Sequence, residues 1–353
     1  MSDQGDSIAA VVAAARECGE PLYIQGGNTK RQLIGRDPVG KPLALSGHRG
    51  IVDYQPAELV MVARAGTPLA EIRDVLDQHH QHMSFEPPLF DGRATLGGTL
   101  ACNLSGPARP WCGSIRDMVL GIKLVNGKAE SLSFGGQVMK NVAGYDVSRL
   151  QAGALGTLGV ITEVSFKVLP RPEQQITLAY EMTASEAVDT MNQRGGEPRP
   201  LTCAQWVDGM LYLRIAGTSG AVHKTASNWG GETLPAGEEP WEDLREMRLP
   251  FFDGSGELWR LSLDSTAKVD TPSDRTLIDW GGAQRWVRGE ADQQALSAMA
   301  SSAGGQASLF RGGDRQGELR QTLEPAEQHL QQRLKQAFDP DRIFNPGRLY
   351  SWL

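Results

Sequence analysis

The chain has 353 residues, of which 40% are hydrophobic and 22% charged, and its formal net charge is −7. An acidic balance without a block of lysine or arginine argues against a nucleic-acid-binding role. No apolar run approaches the roughly 20 residues that span a bilayer, and the N-terminus has no basic stretch before its apolar part, so the sequence predicts a cytoplasmic protein.

The N-terminal segment predicts a helix, a strand and then a glycine-containing loop. Apolar residues recur at helical spacing over residues 7–18, and the strand at residues 21–24 runs into the loop Gln25–Lys30. Backbone N–H groups in such a loop can form an anion-binding nest, with Thr29 as a further donor and Lys30 as a charge partner. A plain hairpin turn is the alternative interpretation.

Short strands are predicted next at residues 43–45, 51–54 and 59–64, followed by a helix that Pro68 opens. This helix is predicted to end in His79, His80 and His82. Histidines at these spacings do not converge on one metal ion from a helix, and no cysteine or carboxylate cluster completes a coordination sphere. We therefore predict a polar helix end and no metal site.

Glycines are dense between Ala94 and Val168, in pairs and at short intervals, and the apolar runs between them are interpreted as strands. The part up to Ser114 is nearly free of acidic side chains, which favours a phosphate-bearing ligand along the backbone. Neither a P-loop nor a Rossmann G-x-G-x-x-G pattern is present. A glycine-rich all-β scaffold with tight turns remains the alternative.

Three further elements are predicted within this stretch. Strands at residues 118–125 and 129–134 are joined across Asn126-Gly127, which is typical of a type I′ hairpin turn. A short helix follows with Asp146 as its cap, and a last strand begins at residue 159. The four cysteines contain no C-x-x-C pair, so redox chemistry would need an organic cofactor or a partner protein.

Pro170-Arg171-Pro172 marks the clearest boundary in the chain, and beyond it strands and helices alternate. Strands are predicted at residues 176–181, 202–207, 211–215, 258–263, 277–280, 284–287 and 306–309. Helices are predicted at residues 185–192, 221–229, 291–303 and 325–338.

Six motifs occur in the order of a known family: IQGGNTK, ATLGGTLACNLSGP, GSIRDMVLGIKLVNG, KNVAGYDVSRL, GALGTLGVITEVSFKVLPRP and FNPGRL. They resemble the FAD-binding family of the p-cresol methylhydroxylase and vanillyl-alcohol oxidase type, which includes FAD-linked 2-hydroxyacid dehydrogenases. The resemblance implies an α+β fold: an FAD-binding domain of two small subdomains at residues 1–172, a reduced α+β cap domain at 173–322, and a C-terminal helix and tail at 323–353 that returns to the flavin domain.

The resemblance also implies a set of FAD-binding residues, while catalytic residues stay unassigned. They are Gln25, Gly26, Gly27, Asn28, Thr29, Thr95, Gly97, Gly98, Ala101, Asn103, Gly106, Gly113, Ser114, Asp117, Ile161, Asn345 and Gly347. Asn28 stands where relatives with a covalent flavin often carry histidine, so a non-covalent FAD is expected. Glu163, Arg116 and Lys140 are expected to be structural.

Further motifs, among them RPWCGSIRDMVLG, LPFF and LIDWGGAQRW, resemble the FAD-binding subunits of bacterial glycolate-oxidising complexes. That resemblance implies a glycolate dehydrogenase subunit that works with a second FAD subunit and an iron–sulfur subunit, and electron transfer to a quinone-type acceptor. It also allows a peripheral position on the inner face of the membrane through the complex.

The second half departs from the related hydroxyacid dehydrogenases, because it lacks their H-x-H pair and holds only His223, with His329 in the last helix. Substrate oxidation is therefore expected mainly in the partner flavoprotein. Arg260, Arg285 and Arg288 are candidates to hold a carboxylate, although arginines beside Trp259, Trp280 and Trp286 are equally typical of a protein–protein surface. A self-sufficient dehydrogenase and an assembly subunit without flavin remain alternatives.

Overall fold

The computed structural model describes residues 3–136, 146–268 and 271–353. Its helices are α1 (Gly5–Cys18), α2 (Leu69–Asp77), α3 (Leu96–Cys102), α4 (Arg109–Cys112), α5 (Ile115–Met118), α6 (Val147–Leu150), α7 (Ala184–Gly195), α8 (Ser219–Trp229), α9 (Trp241–Glu246), α10 (Gln293–Ser302) and α11 (Pro325–Phe338). Within these ranges, no helix combines the length and apolarity needed to cross a membrane.

The strands are β1 (Leu22–Gln25), β2 (Lys41–Ala44), β3 (Ile51–Gln55), β4 (Val60–Arg64), β5 (Gln81–His82), β6 (Val119–Val125), β7 (Ser131–Gly135), β8 (Val160–Lys167), β9 (Leu169–Pro170), β10 (Gln174–Glu181), β11 (Leu201–Val207), β12 (Met210–Gly217), β13 (Glu232–Thr233), β14 (Leu258–Ser262), β15 (Thr276–Asp279), β16 (Gln284–Arg288) and β17 (Gln306–Arg311).

The first half contains two sheets besides the short β5–β9 pair. Strands β1 and β2 form a parallel pair, and a five-stranded antiparallel sheet, here the central sheet, has the order β3-β4-β8-β6-β7. Helices α2 and α3 pack on the central sheet through an apolar cluster that includes Ile72, Leu96 and Phe166, all fully buried. The close packing of α3 on β4 and β8 brings its backbone to the edge of the β1–β2 pair.

The segment after α11 returns to the first half and pairs with β1. Leu22 forms a parallel bridge with Phe344, donating its N–H to the Ile343 carbonyl at 2.7 Å and accepting the Asn345 N–H at 2.9 Å. Ile343 and Phe344 are buried in one apolar cluster with α1. The tail therefore acts as an extra edge strand beside β1.

The second half is built on an eight-stranded sheet, here the large sheet, with the order β13-β10-β12-β11-β15-β16-β14-β17. Its paired strands are antiparallel. One face of this sheet packs against the first half through a shared apolar cluster that contains Leu33, Leu104 and Leu155 from the first half and Trp286 and Phe310 from the second. Function in this chain can therefore draw on residues from both halves.

Most predicted elements are confirmed within a few residues, and α11 has the predicted bounds. The interpretation of the glycine-rich apolar runs as strands is wrong for residues 96–102, which form α3. The helix before the histidines ends at Asp77, and Gln81–His82 is instead the strand β5, which pairs with β9. Both errors reflect tertiary packing that local patterns do not encode.

The turn at Asn126-Gly127 is also different from the prediction. Neither residue has positive φ, which a type I′ turn requires at both central positions; the positive φ falls on Ala129, at 62°. Gly127 instead approaches the tail: it donates its N–H to Phe338 O at 2.8 Å, and a Cβ there would lie 2.5 Å from Asp339 Oδ1. This glycine serves a tertiary contact. Residues 137–145, including Lys140, lie outside the described residues.

A row of buried polar side chains crosses the inner face of the large sheet. Asp279 pairs with Gln284 across β15 and β16, and the pairing of Trp206 with Ile278 places Gln205 opposite Asp279 on the other side. Gln205 is 0% exposed, and neither polar atom of its amide has a hydrogen-bond partner among the described residues. Burial raises the pKa of Asp279 to about 7, against hydrogen bonds from Trp280 N–H and the Gln284 amide that lower it.

This raised pKa predicts a measurable pH dependence of stability. The folded state holds the Asp279 proton up to about pH 7, whereas the unfolded chain releases it near 3.8, so stability is lost as pH rises between these values. Asp279→Asn removes the titration, and Gln284 can turn its amide to accept from the new side chain. We measure the free energy of unfolding in urea for the variant and for the parent. The difference between variant and parent should be on the order of 2 kcal/mol more favourable to the variant at pH 8 than at pH 5. If the free energies of unfolding of the parent and of the variant changed with pH in parallel, the prediction would be contradicted.

Candidate functional site

A cleft in the first half lies between the β1–β2 pair, α3 and the tail. It encloses about 740 Å³ of empty space, part of which is open to solvent. We call it the glycine cleft. Its lining comprises residues 23–31, Leu45, Ala65, Thr95, Gly97, Gly98, Ala101, Cys102, Leu155, Gly156, Gly159, Ile161, Asn345 and Arg348. Chain segments from residues 23–31, 95–102, 155–161 and 345–348 therefore meet at one ligand-sized space.

The loop after β1 presents its backbone donors to this cleft. Among the described residues, none accepts a hydrogen bond from the N–H groups of Gly26 to Arg31 within normal geometry. Asn28 adopts a left-handed conformation with φ of 56°, and its Oδ1 accepts from Tyr23 Oη at 2.5 Å. A run of free N–H groups in a concave loop is an anion-binding arrangement.

Charge in the glycine cleft favours an anion. Lys30 is buried. Its Nζ makes two long contacts, each of 3.5 Å, with the hydroxyls of Thr29 and Thr99, and it lies 5.4 Å from the centre of the Phe90 ring. Burial lowers the pKa of Lys30. Of the described residues that line the cleft, none carries a carboxylate, whereas Lys30, Arg31 and Arg348 are cationic. A buried ammonium without a carboxylate partner is costly unless a ligand supplies the negative charge.

Glycine is required at different positions of the cleft for different reasons. A Cβ on Gly26 would lie 2.1 Å from Thr95 Oγ1, one on Gly27 would lie 1.7 Å from Arg93 O, and one on Gly97 would lie 2.6 Å from the Ala65 Cβ. The protein itself therefore leaves no space for a side chain at Gly26, Gly27 or Gly97. A Cβ on Gly98 meets only Thr95 Oγ1, at 3.0 Å, and so points into the cleft.

Thr95 supplies a further sign that a ligand belongs here. Its Oγ1 is buried and has no hydrogen-bond partner among the residues that the structure describes. Buried hydroxyls in native proteins are nearly always bonded. A phosphate or ring oxygen in the glycine cleft would satisfy it.

The tail holds the cleft together rather than leaving its polar groups free. Asn345 Oδ1 accepts from Ile24 N at 2.8 Å, and its Nδ2 donates to Leu155 O at 2.5 Å. The Arg348 guanidinium donates to the carbonyls of Lys30, Arg31 and Arg36. These two side chains fix the loop after β1 from the far end of the chain.

The structure brings most predicted site residues to the glycine cleft: Gln25, Gly26, Gly27, Asn28, Thr29, Thr95, Gly97, Gly98, Ala101, Ile161 and Asn345 all line it. Lys30, predicted as a charge partner of the loop, also lines it, as do Tyr23, Arg31, Cys102, Gly156 and Arg348, which were not in the predicted set. Lys30 and Arg348 lie inside quoted motifs, and a cation within a glycine-rich loop was the signal for Lys30.

Six predicted residues lie outside this lining and have structural contacts of their own. Asn103 and Gly113 have left-handed φ at helix ends, and a Cβ on Gly106 would lie 2.2 Å from Glu86 O. Ser114 and Asp117 form a capping box on α5, in which Asp117 Oδ2 accepts from both the Ser114 N–H and hydroxyl. Gly347 has φ of 69° in the tail.

The second-half candidates do not converge. Arg285 is buried and donates to Ala267 O, while Arg260, which pairs with Trp286 in β16, lies on the opposite face of the large sheet. Arg288 is exposed and packs over the Phe251 ring. Trp259 and Trp286 are 3% and 6% exposed, so the interpretation of the tryptophans as a protein–protein surface is wrong for both. His223 and His329 are exposed.

Comparisons with known proteins agree with this geometry. The FAD binding domain family matches residues 3–147, and the C-terminal domain of FAD linked oxidases matches residues 311–349. The 4-ethylphenol oxidase from Gulosibacter chungangensis superposes with a TM-score of 0.71 over 99% of this chain and 88% of its own, at 13% identity. At this identity the likeness establishes the fold, which confirms the predicted fold class.

Two relatives by sequence extend over nearly the whole chain. Glycolate oxidase subunit GlcE of Escherichia coli (strain K12) is 46% identical over 334 residues, which covers 94% of this chain and 93% of the relative. D-lactate dehydrogenase of Archaeoglobus fulgidus is 24% identical over 402 residues, which covers 98% and 89% respectively. The predicted family resemblance is thus confirmed. The chain belongs to the FAD-linked oxidase family of p-cresol methylhydroxylase type, together with glycolate oxidase subunit GlcE.

Proposed function

We propose that this chain is an FAD-binding subunit of a glycolate dehydrogenase complex, which oxidises glycolate to glyoxylate and passes electrons to a quinone-type acceptor. The observation that carries the proposal is the glycine cleft, where free backbone N–H groups of Gly26 to Arg31 and the buried Lys30 face a space without carboxylates among its described residues. The relative named as a glycolate oxidase subunit supports the substrate and the multi-subunit assembly.

The residues of the cleft fit FAD. The loop after β1 would bind the pyrophosphate through its N–H groups, with Lys30 supplying the nearby positive charge. Gly98 leaves room for the ligand beside α3, and the orphaned Thr95 hydroxyl would gain a partner. When bound, FAD supplies the hydride acceptor for oxidation of the alcohol carbon.

The way in which the chain holds FAD also follows from the cleft. Asn28 has no nucleophilic side chain and is engaged by the Tyr23 hydroxyl, which supports non-covalent binding.

We propose the division of the chain at residues 172 and 322, because the central sheet ends at Lys167 and the large sheet begins at Gln174. A second FAD subunit and an iron–sulfur subunit are the proposed partners, because scattered cysteines in this chain leave the iron–sulfur cluster to another subunit.

The experiment is an absorption spectrum of the purified chain after FAD addition and gel filtration. We expect flavin bands in the parent chain and in Lys41→Met, an exposed lysine that pairs with Glu20. Lys30→Met should weaken FAD binding about 10-fold or more, because a charge-assisted contact is lost. Anaerobic glycolate added with the partner subunits should bleach the bands. A chain that never retains flavin would refute the proposed function.

A further inference from the structure

The large sheet has a second face, here the outer face, opposite to the apolar cluster that it shares with the first half. Arg285 of β16 pairs directly with Ile278 of β15 and with Leu261 of β14. Directly paired side chains share one face of a sheet. Ile278 is buried in an apolar cluster with α7 and α8, and Leu261 is buried in another with α10. Arg285 therefore occupies a position of the outer face where the packing favours an apolar side chain.

The Arg285 guanidinium is deeply buried but has few hydrogen bonds. The residue is 1% exposed, and burial lowers its pKa to about 10. Its Nη2 donates to Ala267 O at 3.0 Å, whereas Nη1 is buried without a hydrogen-bond partner among the described residues. Two other buried arginines are satisfied by the chain itself: Arg214 forms an ion pair with Glu86 at 2.6 Å, and Arg348 donates to three backbone carbonyls. A buried guanidinium with an unused donor is costly unless a ligand completes its bonding.

Arg285 lines a pocket on the outer face, which we call the outer pocket. It has about 580 Å³ of empty space, part of which is open to solvent. Its lining comprises Ala184, Ser185, Val188, Ala267, Lys268, Thr271, Thr276, Ile278 and Arg285. This described lining contains no carboxylate, and Lys268 adds a second, exposed cation that pairs with Asp189 at 3.1 Å. Residues 269–270 lie outside the described residues.

The first turn of α7 adds donors to the outer pocket. Backbone N–H groups at the start of a helix have no acceptor within the helix and carry a partial positive charge. Ala184 and Ser185 are the first two residues of the 12-residue helix α7, both line the outer pocket, and Ser185 also brings a hydroxyl. The acid of this turn, Glu186, is engaged elsewhere, because its carboxylate accepts from the N–H and the hydroxyl of Thr183. The buried guanidinium and the helix start thus face one space.

We propose that the outer pocket binds the phosphate group of a small phosphate monoester. A guanidinium matches phosphate oxygens with paired N–H donors, and the start of a helix is a general phosphate-binding element. The phosphate supplies the negative charge that Arg285 lacks among the described residues. Val188 and Ile278 border the same space with apolar side chains, which favours an organic group attached to the phosphate. The outer pocket and the glycine cleft share no lining residue, so this inference does not depend on FAD binding.

The test is calorimetric titration of the full chain, both flavin-free and loaded with FAD, with glycerol 3-phosphate as the monoester. We expect the dissociation constant to rise roughly 10- to 100-fold in Arg285→Met, which removes the buried charge but keeps an unbranched side chain. Arg288→Met is the matched control, because this exposed arginine lies on the same strand and does not line the outer pocket. In urea, glycerol 3-phosphate should raise the unfolding midpoint of the parent and of Arg288→Met, but not that of Arg285→Met.

A second variant tests the outer pocket without altering the buried arginine. Ser185→Asp places a carboxylate in the pocket, and an acid in the first turn favours the helix, so the chain should fold. Charge repulsion should raise the dissociation constant for glycerol 3-phosphate by about 10-fold or more. Gln294→Asp is its matched control, because it adds the same charge at the second residue of α10, outside the pocket, and it should leave binding unchanged.

The outcomes separate this inference from the proposed function. Binding of glycerol 3-phosphate by a chain that never retains flavin supports the outer pocket and refutes only the FAD assignment. Binding that FAD displaces belongs to the glycine cleft and overturns the outer pocket. Absence of binding by the parent, or parent-like binding in Ser185→Asp and in a folded Arg285→Met, overturns it as well.

Two further arms identify the ligand. Inorganic phosphate should bind at least about 10-fold more weakly than glycerol 3-phosphate, and equal affinity would overturn the monoester in favour of the free ion. Asp270→Asn tests whether the chain supplies its own anion from outside the described residues. If glycerol 3-phosphate binds only after this substitution, the site is internally filled in the parent and the proposal is refuted.

Discussion

Gly98→Val is expected to abolish FAD retention while leaving the chain folded. A Cβ at this position meets only Thr95 Oγ1, at 3.0 Å, so a branched side chain extends into the glycine cleft and occupies ligand space. Helix propensity does not fall, because valine is a better helix former than glycine, and Gly98 lies in the first turn of α3. We expect flavin content below about a tenth of the parent after gel filtration, which corresponds to a loss of more than about 1.4 kcal/mol of binding free energy.

The matched control for this variant is Gly220→Val. Gly220 also lies in the first turn of a helix, α8, and a Cβ there meets nothing within 4 Å. It should keep full flavin content and a circular dichroism spectrum like that of the parent. Parent-level FAD in Gly98→Val would show that the ligand does not pass beside α3, and the site would have to be redrawn.

Asp339→Ala is expected to produce the largest loss of stability. Lys335 Nζ and Asp339 Oδ2 form an ion pair at 2.8 Å, and the two side chains are 1% and 0% exposed. Asp339 also accepts from the N–H groups of Ile343 and Phe344, and so it shapes the tail that pairs with β1. Removing it leaves a buried ammonium and two orphaned donors, which costs roughly 3–5 kcal/mol. Urea unfolding of the flavin-free chain measures this directly.

Asp341→Ala tests whether burial is the cause. Asp341 pairs with Arg16 at 2.7 Å, but these side chains are 45% and 47% exposed. Exposed ion pairs contribute about 0–1 kcal/mol, so this variant should unfold at almost the parent urea concentration. Similar losses in both aspartate variants would mean that the tail is held by its charge in general and not by the buried pair.

The sequence predicted the fold well wherever a local pattern decided the structure. The helix at residues 325–338 shows both helical periodicity and Pro325 in its first turn, and its bounds were predicted without error. Residues 96–102 were misassigned because the glycines at 97 and 98 weaken a helical pattern, and Gly97 is explained only by its contact with Ala65 in the folded chain. The type I′ turn at Asn126-Gly127 was predicted wrongly for a similar reason, because Gly127 leaves space for Asp339 in the folded chain.

The candidate site was predicted in part for equally physical reasons. Motif resemblance located the loop after β1, α3 and the tail, and the structure brings these segments together at one cleft. It did not reveal that Lys30 is buried without a carboxylate partner among the described residues, because burial is a property of the fold.

The pairing of the tail with β1 sets the order of events during synthesis. The hydrogen bond between Ile24 N and Asn345 Oδ1 joins residues that are 321 positions apart, so it forms only after almost all of the chain has left the ribosome. Contacts between such distant residues form late and slowly, since the intervening chain must first become compact. The loop after β1 therefore emerges early but stays unclamped until Arg348 arrives. The glycine cleft is therefore complete only once residues 345–348 have been synthesised and have packed against the loop after β1.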